Sequence, residues 1–170
     1  MTTTTEPART LKATGVRYHD WSVRFAQFIL DAQGNQEKLI LDWGTHSCAS
    51  WVCQMVEAIT GEDVHKDFAG YTTAEGAAKA ILKAGYKNLD ELVADYFQEI
   101  PGAFVMAGDI VLVPAVLGES LLESTVMPNT MAVADPPFYR LVDPAGLAHG
   151  PLHLAKHFFA VGRKPACLPQ

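Results

Sequence analysis

Helical periodicity dominates this chain as far as Pro101 and strand-like runs dominate the remainder, a division that limits the fold more than any single motif. From Tyr18 onward, Trp21, Phe25, Phe28 and Ile29 return to one face until Gly34 stops the pattern. Cys48, Val52, Met55, Val56 and Ile59 form a second stripe of helical period, closed by Thr60-Gly61. Thr72 with Glu75 has the spacing of a capping box ahead of Ala77, Ala78, Ile81 and Leu82, and Asn88 with Glu91 opens a similar helix through Leu89, Leu92, Val93 and Tyr96. Beyond Gly102 the pattern changes. Gly108-Asp-Ile-Val-Leu-Val113 reads as a turn leading into a β-branched strand. Thr130 to Ala134, Phe138 to Val142 and Phe158 to Val161 read as further strands, with a turn signal at Asp143-Pro-Ala-Gly146. Helices followed by strands is the order of an α+β fold. The segment from Pro114 to Pro128 has apolar patches and no clean period.

A chain of 170 residues with 49% apolar and 19% charged residues supports one domain with a real core. Its net charge of −6 leaves no basic stripe to displace counterions from phosphates, so nucleic acid is excluded as an expected partner. No run is long and apolar enough to suggest a transmembrane segment, and the Thr-rich start lacks the basic and apolar regions of a secretory signal. Residues 1–17 are expected to be a flexible or partner-ordered arm, 18–163 the domain, and 164–170 a Pro-rich tail. Three cysteines, Cys48, Cys53 and Cys167, are an odd number, and the first two are spaced poorly for a zinc pair or a disulfide within one helix. Reduced thiols in a chain made in a cytoplasm are the expectation.

Cys48 admits two readings. A cysteine in the first turn of a helix is favoured as a nucleophile, because free backbone N–H groups and the positive end of the helix dipole stabilise thiolate and an adjacent oxyanion. Thr45 or Ser47 is available as the cap. Yet Cys48 shares the stripe of Val52, Met55 and Ile59, which equally suits a small core residue. Cys53 falls off that stripe. A nucleophile also needs a base, and the candidates are His19, His46, His65, His149, His153 and His157. His46 belongs to the helix start, since side chains adjacent in sequence do not face one another on a helix. His153 and His157 have the spacing of a helical metal pair without a third ligand, so neither metal nor cofactor is expected. Asp109 reads as a turn residue opening its strand, and Tyr71 and Tyr86 as loop aromatics.

Tyr18-His-Asp-Trp21, Trp43-Gly-Thr-His-Ser-Cys48 with its helix ending at Thr60-Gly61, and Gly108-Asp-Ile-Val-Leu-Val113, in that order, resemble the NlpC-type cysteine peptidases. The likeness runs from about Tyr18 to Arg163 and is greatest to small versions encoded among the tail-tip genes of tailed bacteriophages and gene transfer agents. It implies a papain-like α+β fold, with N-terminal helices packed on a small antiparallel sheet and Cys48 at the nucleophile's position. Active members cleave peptidoglycan stem peptides through an acyl-enzyme. Here the sequence departs from the pattern: Ser47 stands where aspartate is common, and the segment Pro128-Asn-Thr-Met-Ala-Val-Ala134 has no histidine where the family carries its base. His149, on a neighbouring strand, is the candidate substitute. The resemblance implies a virion protein of the tail tip, made in the host cytoplasm, with other tail-tip or baseplate proteins as partners. Its role is expected to be structural with a degenerate site. The alternatives are an active endopeptidase acting on bacterial peptidoglycan during genome delivery, and an intracellular thiol-dependent amidase or acyltransferase.

Overall fold

The computed structural model describes residues 10–39, 41–115 and 120–164, leaving Cys167 outside the described residues. It has the mixed α+β architecture expected from the sequence. Five α-helices occur among the described residues: α1 (Trp21–Gly34), α2 (Cys48–Thr60), α3 (Ala74–Lys83), α4 (Leu89–Tyr96) and α5 (Leu121–Val126). The strands are β1 (Gln98–Glu99), β2 (Ile110–Pro114), β3 (Asn129–Asp135), β4 (Phe138–Asp143), β5 (Gly146–Pro151) and β6 (His157–Ala160). They form one antiparallel sheet in the order β1-β6-β2-β3-β4-β5. Helix α2 lies across β3 and β4 and packs against α1.

Helices α2 to α5 each start where a side chain captures a free N–H, whereas α1 has no such cap. Ser47 caps α2, Asn88 caps α4 and Ser120 caps α5, each accepting from the amide three residues on. For α3 the cap is Thr73, accepting from Gly76, so the helix begins one residue later than the Thr72 to Glu75 spacing suggests. Gly61 ends α2 with φ 78°, a left-handed conformation that a side chain resists. Helix α5 and the two-residue strand β1 were not legible, because each is shorter than two periods of the pattern that would reveal it.

The core lies between α2 and the sheet, where Trp51, Val52, Met55, Val56 and Ile59 meet Ile110, Leu112, Val133 and Phe159. Each such side chain contributes roughly 1.5–3 kcal/mol by leaving water. Val111, Val113, Ala132 and Ala134 point to the other face and are covered there by Tyr139, Leu152 and Phe158. Strands β2 and β3, buried on both faces, therefore read as continuous apolar runs rather than alternating ones.

Asp109 does more than open a strand. Its carboxylate is completely buried and accepts from the Met106 N–H at 2.8 Å, the Val161 N–H at 3.1 Å and Arg17 Nη2 at 2.8 Å. Arg163 binds both of its oxygens. Arg17 also donates to the carbonyls of Val161 and Ala107. Burial pulls the Arg17 guanidinium's pKa down, and the charge of Asp109 opposes that shift. Within the expected N-terminal arm, residues 10–17 are tied to the body: Lys12 and Ala13 donate to the carbonyls of Asp95 and Tyr96, and Thr14 and Gly15 to the Glu62 carboxylate.

Asp109→Ala strands two guanidinium groups in a dry site and is expected to lower the unfolding free energy by about 3–5 kcal/mol. Glu75→Ala, which breaks an exposed pair with Lys79, should leave the transition in place. Urea denaturation at neutral pH decides this, and equal midpoints for the two variants would contradict the structural weight given to Asp109.

Candidate functional site

The approach to α2 is a tight turn built on Asp42. Its carboxylate accepts from the Gly44 N–H at 3.0 Å and the Thr45 hydroxyl at 2.7 Å, and both contacts hold its pKa below the usual range. The His46 N–H donates to the Asp42 carbonyl at 2.7 Å. Ser47 follows in an extended conformation and its buried hydroxyl oxygen accepts from the Ser50 N–H at 3.0 Å. Cys48 is thereby the first residue of the helix, half-buried at the positive end of the helix dipole.

Cys48 opens onto a cavity of about 380 Å³ enclosed by α2, α3, α4 and strands β2 to β5. His149 also lines this cavity. His149 is exposed on the outermost strand β5, opposite Arg140 in the register, with its ring edge-on to Phe138 at 5.6 Å between centroids. The start of β3 also lines the cavity, with Asn129, Thr130 and Met131. The Asn129 amide donates to Asp90 on α4 at 2.7 Å.

Three further residues line the cavity. Tyr71 is more than a loop aromatic: its hydroxyl lies 3.2 Å from Ser47 Oγ, and its ring is edge-on to both Trp43 and His65. Burial pushes its pKa up. Cys53, off the apolar stripe, nevertheless lines the cavity, and desolvation pushes its thiol up to about 12. His65 lies in a short 3-10 turn, His65–Asp67, after α2. Its Nε2 is buried and has no hydrogen-bond partner among the described residues. A buried polar atom left unpaired costs about 1–3 kcal/mol. No spacing rule places Tyr71 and His65 beside α2, because the segment after Gly61 reaches Ser47 only by folding back along that helix.

The remaining histidines lie elsewhere. His153 is exposed in the turn Leu152–Leu154, and His157 on β6 pairs with Glu99 at 2.8 Å. Among the described residues, no group of three or more His, Cys, Asp or Glu side chains is gathered to hold a metal ion, and no helix is long and apolar enough to cross a membrane.

Fold and site together define an α+β domain in which a cysteine-headed helix lies against an antiparallel sheet beside an apolar cavity. Residues 16–161 match the model of a family described as a domain of unknown function (DUF6950), and the chain belongs to that family. No curated protein matches the chain. No solved structure matches it.

With a pKa of about 12, Cys53 holds roughly one thiolate in ten thousand at pH 8. Iodoacetamide at that pH is expected to modify Cys48 first and to reach Cys53 only once urea unfolds the chain. Peptide mass mapping checks the order, and equal rates in the folded protein would contradict the burial of Cys53. Ser47→Ala removes the α2 cap and is expected to cost about 1 kcal/mol in urea denaturation; an unchanged midpoint would show that the cap is dispensable.

Proposed function

We propose that this chain is a tail-tip or baseplate component of a tailed phage or gene transfer agent, with an NlpC-type, papain-like domain whose site is degenerate and whose work is structural. The order of features supports it: a cysteine heads α2, α2 packs on an antiparallel sheet, and the central strand β2 opens at Gly108-Asp109. The observation that carries the degenerate reading is the start of β3. Resembling peptidases carry their base there, and here the positions hold Asn129, whose amide is bound to Asp90, and Thr130. Neither side chain accepts a proton from a thiol near neutral pH.

His149 favours a second reading, an active endopeptidase on peptidoglycan stem peptides, because it lines the cavity that Cys48 opens onto. In that reading His149 takes the thiol proton, the Cys48 sulfur attacks the amide carbonyl, and the tetrahedral oxyanion collapses to a thioester as the C–N bond breaks and His149 passes the proton to the leaving amine. Water then hydrolyses the thioester. First-turn amides of α2 supply the dipole at the oxyanion.

A digest of purified muropeptides separates the two. The expected result is no product above background. Product that disappears in both Cys48→Ala and His149→Ala overturns the degenerate reading in favour of the active one. Mass spectrometry of purified particles tests the location: the chain is expected in the virion, and its absence from particles would sink both phage readings.

A further inference from the structure

Helix α1 is apolar on two sides. Phe25, Ile29 and Ala32 form its buried face, and the helix packs against α2. The side of a surface helix turned away from the core is ordinarily polar or charged. Here Val23 and Leu30 occupy it, 69% and 59% exposed, seven residues apart and so within about 20° of one another around the axis. Gln27 and Gly34, both exposed and uncharged, complete that line. Charge is confined to one flank of it. Arg24 and Asp31, again seven residues apart, share that flank, with Asp20 one turn before Arg24. The Arg24 guanidinium stacks on the Tyr18 ring at 4.4 Å and pairs with Asp20 at 2.8 Å, yet its side chain stays 46% exposed. The Asp31 carboxylate accepts from the neutral Gln27 amide at 2.7 Å. A guanidinium carries five donors in a planar fork and serves two carboxylates at once.

This surface is complementary to itself. A two-fold axis across the helix presents the patch to its own image, so antiparallel copies of α1 meet charged flank to charged flank. With the axis between Ala26 and Gln27, Val23 lies against the second copy's Leu30. Arg24 then falls two residues from direct opposition to the second copy's Asp31, about 3 Å along the helix and within reach of an arginine. Each contact occurs twice, and the small side chain of Ala26 at the axis lets the backbones approach. A parallel pair would instead set the charged flank against Ser22, Ala26 and Gln33, where it finds no partner charge.

We propose that α1 is a self-association surface, on which a second copy of this chain packs antiparallel through Val23 and Leu30 and is held in register by reciprocal Arg24–Asp31 ion pairs. The proposal goes beyond the reading of the chain as a tail-tip protein and rests neither on that location nor on any role of Cys48. A helix of 14 residues is about 21 Å long, so one helix pair covers less than the roughly 1,200 Å² at which stable interfaces begin. The dimer is therefore weak and forms at hundreds of micromolar.

Sedimentation equilibrium of the full chain between about 10 μM and about 1 mM tests this, with a shift from monomer toward dimer expected across that range. Leu30→Asp is expected to stay monomeric throughout while keeping the parent's spectrum, because the side chain it replaces is exposed. Arg24→Asp is expected to weaken association about tenfold, since two ion pairs become two repulsions. Adding Asp31→Arg to that variant reverses both charges and is expected to restore the parent's affinity, which a merely structural role for Arg24 in its own helix would not do. Oxidative cross-linking reads the orientation. Ala26→Cys, next to the axis, is expected to give a disulfide-linked dimer mapped to position 26 by peptide mass analysis. Gln33→Cys, about 20 Å from its own copy in an antiparallel pair, is expected to give none. The proposal is overturned by a monomer at every concentration, by Leu30→Asp associating like the parent, by the double charge reversal failing to recover, or by Gln33→Cys linking as readily as Ala26→Cys. Muropeptide cleavage and the presence of the chain in particles bear on the proposed function alone and leave this result independent.

Discussion

An ionised carboxylate with no contact with water must be neutralised on all sides, and Asp109 imposes that requirement at the mouth of the central strand. It draws in Arg17 from before α1, Arg163 from after β6 and the Val161 N–H from the end of β6. Both ends of the described domain are thereby tied to the start of β2. Gly108, beside it, adopts φ 77°, and a Cβ there would come within 3.1 Å of Ile59 on α2. The Tyr18 N–H completes the junction by donating to the Ile59 carbonyl at 2.9 Å. The C-terminal end of α2 is thus the fixed end. At the opposite end of this 13-residue helix, about 18 Å away, Cys48 sits beside the cavity. A rigid base and an open mouth on one helix is the arrangement that lets a binding site coexist with a tightly packed core.

This hub was only half legible. Gly108-Asp109 stands out in the sequence as a turn before a β-branched run, but its partners lie 92 and 54 residues away and nothing local marks Arg17 or Arg163 as buried. By contrast α1 and α2 were readable because their apolar residues recur over three turns or more, and α4 because Asn88 caps it in sequence as in space. The displaced cap of α3 shows where such rules slip. Thr72 and Thr73 are chemically alike, and only the backbone geometry chooses Thr73.

The site divides the same way. Cys48 was legible because a cap and a stripe converge on it, and it is half-buried at the head of the packed helix, on the lining of the cavity. Tyr71 and His65 were not legible because they belong to the return segment after Gly61, whose course is decided by packing against α2. Cys53 lies off the apolar stripe, yet faces the same cavity as Cys48. The stripe marks the side of the helix against the sheet, and the cavity is walled on its other side by α3 and α4.

The start of β3 is where the structural and catalytic demands meet. Asn129 is held by Asp90, and His157 bridges the neighbourhood with Glu99 at 2.8 Å and Asp90 at 3.7 Å, so α4, β1, β3 and β6 are joined there by one polar network. An imidazole placed at position 129 would have to surrender that network before it could serve a thiol, because the Asp90 carboxylate would compete for its proton. His149 carries no such obligation; its ring contacts Phe138 and lies on an edge strand at the cavity's rim. The geometry therefore separates two questions that the sequence had merged. Asn129 has a structural task that accounts for its place at the start of β3, whereas Cys48 and His149 are tied to no such network and share only the lining of the cavity.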